Sequence, residues 1–328
     1  MASIRDVAAA AGVSLTTVSH ALNNRGRIAQ KTRIRVLEAA RDLGYQANVH
    51  AQQLVTRRSR IIAIQMPTPE RSQGPALPHS AYFLDLINGA SAAADDARYA
   101  LVVTPSGSTA NILDSFAIDG VIIVDPRGDE PAFDAGAPIV TIGDARSGSH
   151  DDILAVDNDH AAATHIALDH FAALGRTRPA VVADSTHWSY VNEVLAGYQS
   201  WTRRRHIAEI VIELESPEGT QVDQTVTRLI AEGVDAVYTS SDDLALALLD
   251  AAVRAGVRVP DQLAIASAVD SRSLALTTPQ ISATDLFPFR TGEIAARQLI
   301  DRLEHGPEPV RTQIIDTQFV ARGSSAPS

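Results

Sequence analysis

Two hydrophobic patterns divide the chain. Over residues 1–46, apolar side chains recur at the three- and four-residue spacing of short helices. From about residue 60 onward, amphipathic stretches alternate with continuous apolar runs: "RIIAIQM", "YALVVTP", "GVIIVDP", "PIVTIG", "PAVVAD", "EIVIELE", "DAVYTSS" and "QLAIASAVD". Such runs are typical of parallel strands joined by helical crossovers. About ten strands are more than a single sheet usually contains, so the strands are expected to divide between two sheets. We therefore predict an all-α head and an α/β body with two lobes.

The head begins with two short helices and a tight turn. The first helix is predicted from its apolar face, which consists of Ile4, Val7, Ala8 and Ala11. Gly12 permits the positive φ of a tight turn, and Ser14 is a suitable N-cap for the second helix. The inner face of that helix is formed by Val18, Ala21 and Leu22. This pattern predicts a helix-turn-helix, whose outer face is free to meet base edges or phosphates.

A third helix is predicted over Gln30–Leu43, with its inner face at Ile34, Leu37 and Ala40 and its end at Gly44. The segment that follows, Tyr45–Ser59, has weak periodicity and no core of its own. A stretch this short is expected to be unfolded by itself.

Charge separates the head from the body. Residues 1–60 contain ten Lys or Arg and three Asp or Glu, a net charge of +7, whereas the whole chain carries −11 and the remainder therefore −18. This distribution predicts that the head alone meets a polyanion. The chain has no cysteine, no apolar leader pattern and no membrane-length apolar run. We therefore expect a cytoplasmic protein without a membrane partner.

The order and spacing of the head motifs identify a family resemblance. "IRDVAAAAGVSLTTVSHALNN", "KTRIRVLEAARDLGY" and "NVHAQQL" resemble the head of the lactose-repressor (LacI/GalR) family of bacterial transcriptional regulators. The resemblance implies a DNA-binding domain over residues 1–46, a hinge helix or linker over 47–58, and an effector-binding and dimerisation domain over 59–328. The hinge would fold only on double-stranded DNA, where Leu54 would open the central base step of a pseudo-palindromic operator from the minor groove.

The resemblance also assigns roles to individual head residues. The expected base-reading residues are Leu15, Thr16 and His20. The expected phosphate-contacting or positioning residues are Ser14, Thr17, Ser19, Asn23, Thr32, Tyr45, Asn48 and Gln52. Relatives commonly carry Arg where His20 stands. Because His20 cannot pair bidentately with guanine, we expect an altered or relaxed half-site.

The body resembles the family's effector domain, which is similar to periplasmic sugar-binding proteins. "VRVPDQLAIASAVDS" and "SSDDLALALLDAAVRAG" match family segments in spacing. The resemblance implies two parallel-sheet lobes, the first about 59–157 and 285–320 and the second about 158–283, with a ligand in the cleft between them. The expected effector-binding residues are Tyr82, Phe83, Ser106, Asp157, Trp188, Asn192, Asp242, Asp270 and Phe287.

Two departures concern the ligand. Relatives usually carry an Arg at the position of Val194, and paired Asp where this chain has Val269 and Asp270. Groups that typically hold sugar hydroxyls are therefore missing. We expect an apolar, aromatic or cationic effector to fit the cleft better than a sugar. The absence of any effector is equally consistent with these departures.

The sequence predicts a homodimeric DNA-binding regulator, most consistent with a repressor, that responds to a small molecule of unknown identity. Two alternatives remain open: a cytoplasmic small-molecule-binding protein with the solute-binding fold, and a regulator that no longer responds to a sugar. An enzyme is disfavoured, because the chain contains no GxGxxG, P-loop, GxSxG or HExxH motif. "SHDD" and "DNDH" place acids near histidines, but their spacing fits no standard metal site. No cofactor is expected.

Overall fold

The computed structural model describes residues 2–22, 28–45, 58–68, 77–78, 80–106, 112–113, 115–128, 130–143, 153–185, 188–215, 219–306 and 312–326. The chain forms two compact units, Met1–Ser59 and Arg60–Ser328. Four predicted DNA-contacting residues lie outside the described residues: Asn23, Asn48, Gln52 and Leu54.

The described part of the first unit contains three short helices, α1 (Ile4–Ala11), α2 (Leu15–Leu22) and α3 (Gln30–Asp42). Ser3 and Asp6 form a reciprocal capping box at the start of α1. Gly12 ends this helix with φ of +60°, the left-handed conformation that the turn requires. The three helices enclose a small core of Val7, Ala8, Ala11, Val18, Ala21, Val36 and Ala40.

The buried face of α3 differs from the sequence prediction. Ile34 and Leu37 were expected inside, yet they are 49 % and 44 % exposed. Val36 is buried in their place, and Ala40 is buried as predicted. The helix carries two apolar rows with similar spacing, and the periodicity alone does not distinguish them.

The second unit contains two sheets of six strands each. The first sheet has the order β11-β5-β4-β3-β1-β2, and all its pairs are parallel. Its strands are β1 (Ile61–Met66), β2 (Ala100–Pro105), β3 (Gly120–Val124), β4 (Ile139–Ile142), β5 (Leu154–Asn158) and β11 (Thr312–Ile315). Nearly every described position in β1 and β3–β5 is buried, as expected for strands covered on both faces.

The second sheet has the order β12-β10-β9-β8-β6-β7 and is parallel except for the pair β10–β12. Its strands are β6 (Pro179–Asp184), β7 (Val211–Leu214), β8 (Ala236–Thr239), β9 (Ala264–Ser267), β10 (Ser282–Asp285) and β12 (Gln318–Val320). The pairing of β12 with β10 corrects one predicted boundary, because residues up to 320 were assigned to the first lobe. The correct transfer point lies after β11.

Among the described residues, the helices that cover these sheets are α4 (Ala81–Asp96), α5 (His160–Ala173), α6 (Ser189–Arg205), α7 (Thr220–Ala231), α8 (Asp242–Arg254) and α9 (Pro288–His305). Helices α4 and α9 pack together on the first sheet. Gly89 and Gly292 permit this close approach, since a Cβ on either glycine would overlap the backbone of the other helix. The second sheet has an apolar core on each face, with α7 and α8 on one and α5 and α6 on the other.

The chain passes three times from one sheet to the other. It leaves the first sheet after β5, returns after β10, and leaves again between β11 and β12. The two sheets therefore form two lobes joined by three segments.

Among the described helices, none combines the length and apolarity that a membrane crossing requires. Within the same described ranges, no group of His, Cys, Asp and Glu side chains has a metal-binding arrangement.

Candidate functional site

One face of α2 is exposed while the opposite face is buried. Val18 and Ala21 pack into the core of the first unit. Thr16 and His20 are exposed on the other face, and Leu15 is 44 % exposed. The three predicted base-reading residues therefore lie together on a solvent-facing surface of one helix.

The predicted positioning residues lie around the N-terminus of α2 and on α3. The hydroxyls of Ser14 and Thr17 are hydrogen-bonded at 2.8 Å, and the Thr17 amide donates to Ser14 Oγ at 3.2 Å. Ser14 therefore caps the helix as predicted. Ser19 and Thr32 are half-buried, and Tyr45 packs partly against the core. These contacts fix the backbone of the helix-turn-helix.

In the second unit, acidic residues gather where strands of both sheets end. Asp125 directly follows β3, and Asp157 lies at the end of β5. Asp184 is the last residue of β6, and Asp242 begins α8 after the short link 240–241 that follows β8. The carboxyl ends of parallel strands are the edge at which open α/β sheets bind ligands.

Two tyrosines lie among these carboxylates. Burial raises the pKa of Tyr82 far above its ordinary value, and the charges of Asp125 and Asp157 raise it further. The pKa of Tyr190 is raised by burial and then by Asp184, Asp125 and Asp242. Tyr190 therefore feels carboxylates from both lobes, and both phenols stay protonated.

The two lobes contact each other beside this cluster. Ser80 Oγ in the first lobe lies 3.4 Å from both carboxylate oxygens of Asp242 in the second. A Cβ at Gly143 would lie 3.0 Å from Ser189 Oγ and 3.4 Å from Asp125 Oδ1. The lobes are therefore closed over the cluster, and Gly143 leaves no room for a side chain.

Asp125 is a strongly perturbed carboxyl group of the cleft. Burial, followed by the charge of Asp157, raises its pKa to about 7. Its backbone has φ of +47°, the left-handed region that a non-glycine residue rarely adopts. Strained backbone of this kind is concentrated at functional sites.

His160 provides a second buried polar group. It is only 6 % exposed, and burial lowers its pKa to about 4 despite the neighbouring charge of Asp159. Its ring lies 5.7 Å from the ring of Tyr190. The imidazole is therefore neutral at physiological pH.

Five predicted effector-binding residues lie near the cleft. Tyr82, Asp157 and Asp242 belong to the acidic and aromatic cluster, and the Trp188 ring lies 6.0 Å from the ring of Tyr190. Ser106 follows β2 and is half-buried.

Four other predicted residues have different surroundings. Phe83 is 8 % exposed and packs in the core of the first lobe, because it lies on the inner face of α4. Asp270 accepts from Arg322 at 2.8 and 2.6 Å, so its carboxylate already has a cationic partner. Asn192 is exposed on α6, and Phe287 packs partly against the core of the first lobe. Phe83 and Asp270 are therefore removed from the expected ligand set.

The expected effector-binding set omits five residues of this region: Asp125, Asp184, Ser189, His160 and Tyr190. A signal for the two acids was present, since each directly follows a continuous apolar run, in "GVIIVDP" and "PAVVAD". The segment "DNDH", whose spacing fits no standard metal site, contains His160. Asp159 caps α5, while His160 lies buried at its first position.

Comparison with known proteins divides the chain similarly. Residues 3–48 match the family described as bacterial regulatory proteins, lacI family. Residues 168–325 match the periplasmic binding protein-like domain. The curated protein "HTH-type transcriptional regulator MalR" of Staphylococcus xylosus is 25% identical over 99% of this chain and 98% of its own. "Probable HTH-type transcriptional repressor ExuR" of Bacillus subtilis (strain 168) is 27% identical over 99% and 98%.

Solved structures agree on the fold. A lac repressor dimer bound to operator and the anti-inducer ONPF has a TM-score of 0.76 and 21% identity, covering 99% of both chains. A transcriptional regulator CelR-cellobiose complex has a TM-score of 0.72 and 23% identity, covering 99% of this chain and 100% of that one. Both likenesses extend over the helical head and the two-sheet body.

Proposed function

From the premise that this chain belongs to the LacI family of bacterial regulatory proteins, we propose that it represses transcription as a homodimer on a pseudo-palindromic DNA operator. The observation that carries the proposal is the exposed face of α2 with Leu15, Thr16 and His20. A helix of this kind presents short polar and apolar side chains to base edges in the major groove.

The segment 47–58 is proposed to act as the hinge. Asn48, Gln52 and Leu54 would contact the DNA there, with Leu54 as the wedge in the minor groove. This role rests on the match of "NVHAQQL" to the family, because these residues lie outside the described ranges.

The cleft is proposed to regulate the DNA affinity. A small molecule between the lobes would favour either the closed arrangement, in which Ser80 contacts Asp242, or a more open one. It can shift this equilibrium only through a difference in its affinity for the two arrangements. The acidic and aromatic cluster supports a binding role for the cleft rather than a catalytic one.

Selection of bound sequences from a genomic DNA library with the purified full chain tests the proposal. We expect a two-fold symmetric site whose affinity falls steeply with salt, because the net charge of +7 over residues 1–60 favours phosphate contacts. The control is a variant with His20→Ala and Thr16→Ala, which retains the basic residues. If the chain and this variant enrich the same sequences equally, or neither enriches a site, α2 does not read DNA.

A further inference from the structure

Three carboxylates of the cleft, those of Asp125, Asp184 and Asp242, have no cationic partner among the described residues. The side chain of Asp184 accepts from Ser240 Oγ at 2.9 Å, and that of Asp242 from Ser80 Oγ at 3.4 Å. Asp125 accepts no hydrogen bond from a described side chain. By contrast, the neighbouring Asp270 is paired with Arg322. Acidic groups this enclosed are usually paired or bound to a cation.

Two polar side chains beside the cluster lack hydrogen-bond partners among the described residues. The His160 ring, which contacts the Tyr190 ring, makes no hydrogen bond to any described residue. Ser189 Oγ is also buried without a partner in the described part of the chain, and it lies against the same space beside Gly143 as Asp125. Unsatisfied buried groups are rare in native proteins, and a site shaped for a bound molecule explains them.

We propose that the cleft binds a small organic cation, a protonated amine held between Asp125 of the first lobe and Asp184 and Asp242 of the second. The proposal deepens the proposed function by naming the chemical class of the effector, and it rests on that function only for the regulatory consequence of binding.

Electrostatics favour a cation over other ligands. The charge of Asp157 raises the pKa of Asp125, so a positive charge beside these carboxylates relieves the repulsion. The faces of Tyr82, Tyr190 and Trp188 add cation–π attraction. A neutral sugar leaves the carboxylates unpaired, and an anionic ligand is repelled. His160 and Ser189 supply a hydrogen-bond acceptor and a hydroxyl for a specific orientation.

An inorganic cation is a poorer fit. No group of metal-ligating side chains with suitable geometry exists among the described residues. The aromatic rings also provide an apolar surface that an organic ligand can cover but a hydrated ion cannot.

The experiment compares amines with their neutral and acidic analogues on the full chain. Tyramine and putrescine are each tested by thermal shift at pH 8 beside the alcohol and the carboxylic acid of the same carbon skeleton, together with magnesium and calcium ions. Hits are titrated by calorimetry. We expect at least one amine to stabilise the protein, while its alcohol binds at least tenfold more weakly and its acid does not bind.

Two variants locate the binding. Asp242→Asn and Asp125→Asn are expected to weaken the amine at least tenfold and to reduce its advantage over the alcohol. Asp134→Asn, which changes an exposed acid outside the cleft, leaves the affinity unchanged. The proposal is overturned if no amine binds, if an alcohol, an acid or a metal ion binds at least as tightly, or if the cleft variants bind like the Asp134 control.

These results are independent of operator selection. A chain that binds an amine in the cleft but enriches no operator refutes the proposed function and supports the cationic ligand. A chain that enriches an operator but binds only neutral or anionic compounds supports the proposed function and refutes the cationic ligand.

Discussion

At the scale of single residues, Asp125 shows how a protein stores electrostatic energy in a binding cleft. Its pKa of about 7 lies far above the value of 3.8 for an unperturbed aspartate. Between these two values the folded chain holds a proton that the unfolded chain has lost, so the contribution of Asp125 to stability declines as the pH rises from about 4 to above 7. The empty cleft is therefore least stable under the conditions in which it binds a cation best.

The variant Asp125→Asn tests this directly. It removes the ionisation while conserving the shape of the side chain, so its stability relative to the parent should increase by about 2 kcal/mol between pH 5 and pH 8. Urea unfolding at both pH values measures the change. Asp134→Asn is the matched control, and an equal pH dependence of both variants would contradict the assignment.

His20 offers a residue-scale prediction for the head. Because arginine can pair bidentately with guanine, His20→Arg should introduce a guanine preference at one symmetric pair of operator positions, worth about 1–3 kcal/mol. Sequence selection compares the variant with the parent and with His20→Ala. The alanine variant should lose the base preference of the parent at these positions without gaining a preference for guanine. An unchanged base preference in His20→Arg would exclude this residue from the base-reading set.

At the scale of elements, sequence periodicity predicted the type of each element more reliably than its inner face. The continuous apolar runs correctly indicated strands, because a strand buried on both faces has little choice of composition. In α3, two apolar rows compete, and the packing of α1 and α2 selects the row with Val36 over the row with Leu37.

The two rows of α3 can be distinguished by mutation. Val36→Ala should destabilise the head by about 1–2 kcal/mol, whereas Leu37→Ala should change it by less than about 0.5 kcal/mol. Hydrogen exchange of the α3 amides in the full chain provides the measurement, with roughly tenfold faster exchange expected for the Val36 variant alone. Equal acceleration in both variants would restore the predicted inner face.

The cleft illustrates a different limit of sequence reasoning. Asp125, Asp184 and Asp242 are far apart in the sequence, and only the register of two separate sheets brings their ends together. An acid after an apolar run indicates a strand end, but no local pattern says which strand ends face each other. Conversely, Asp270 met the family spacing and still lies outside the set, because Arg322 returns from the chain terminus to pair with it.

At the scale of the whole molecule, the division near residue 59 carries a testable consequence. The body has its own cores in both lobes, and all of them lie within Arg60–Ser328. A variant without residues 1–58 should therefore remain folded and dimeric, and should bind the same cleft ligand while losing all affinity for DNA. Analytical ultracentrifugation and thermal unfolding test this, and a monomer or an aggregate would contradict the proposed division.

Because the chain passes three times between the sheets, neither sheet is complete until the last segment of the chain has been synthesised. The described head is complete by residue 45, but each sheet receives an edge strand, β11 or β12, from the last segment of the chain. Ser324 then closes the second lobe by donating from its hydroxyl to the carbonyl of Ile265. A chain released prematurely by a nonsense codon therefore carries a finished DNA-reading head on a body with two open sheet edges, which makes the fragment a substrate for proteolysis rather than a competitor for the operator.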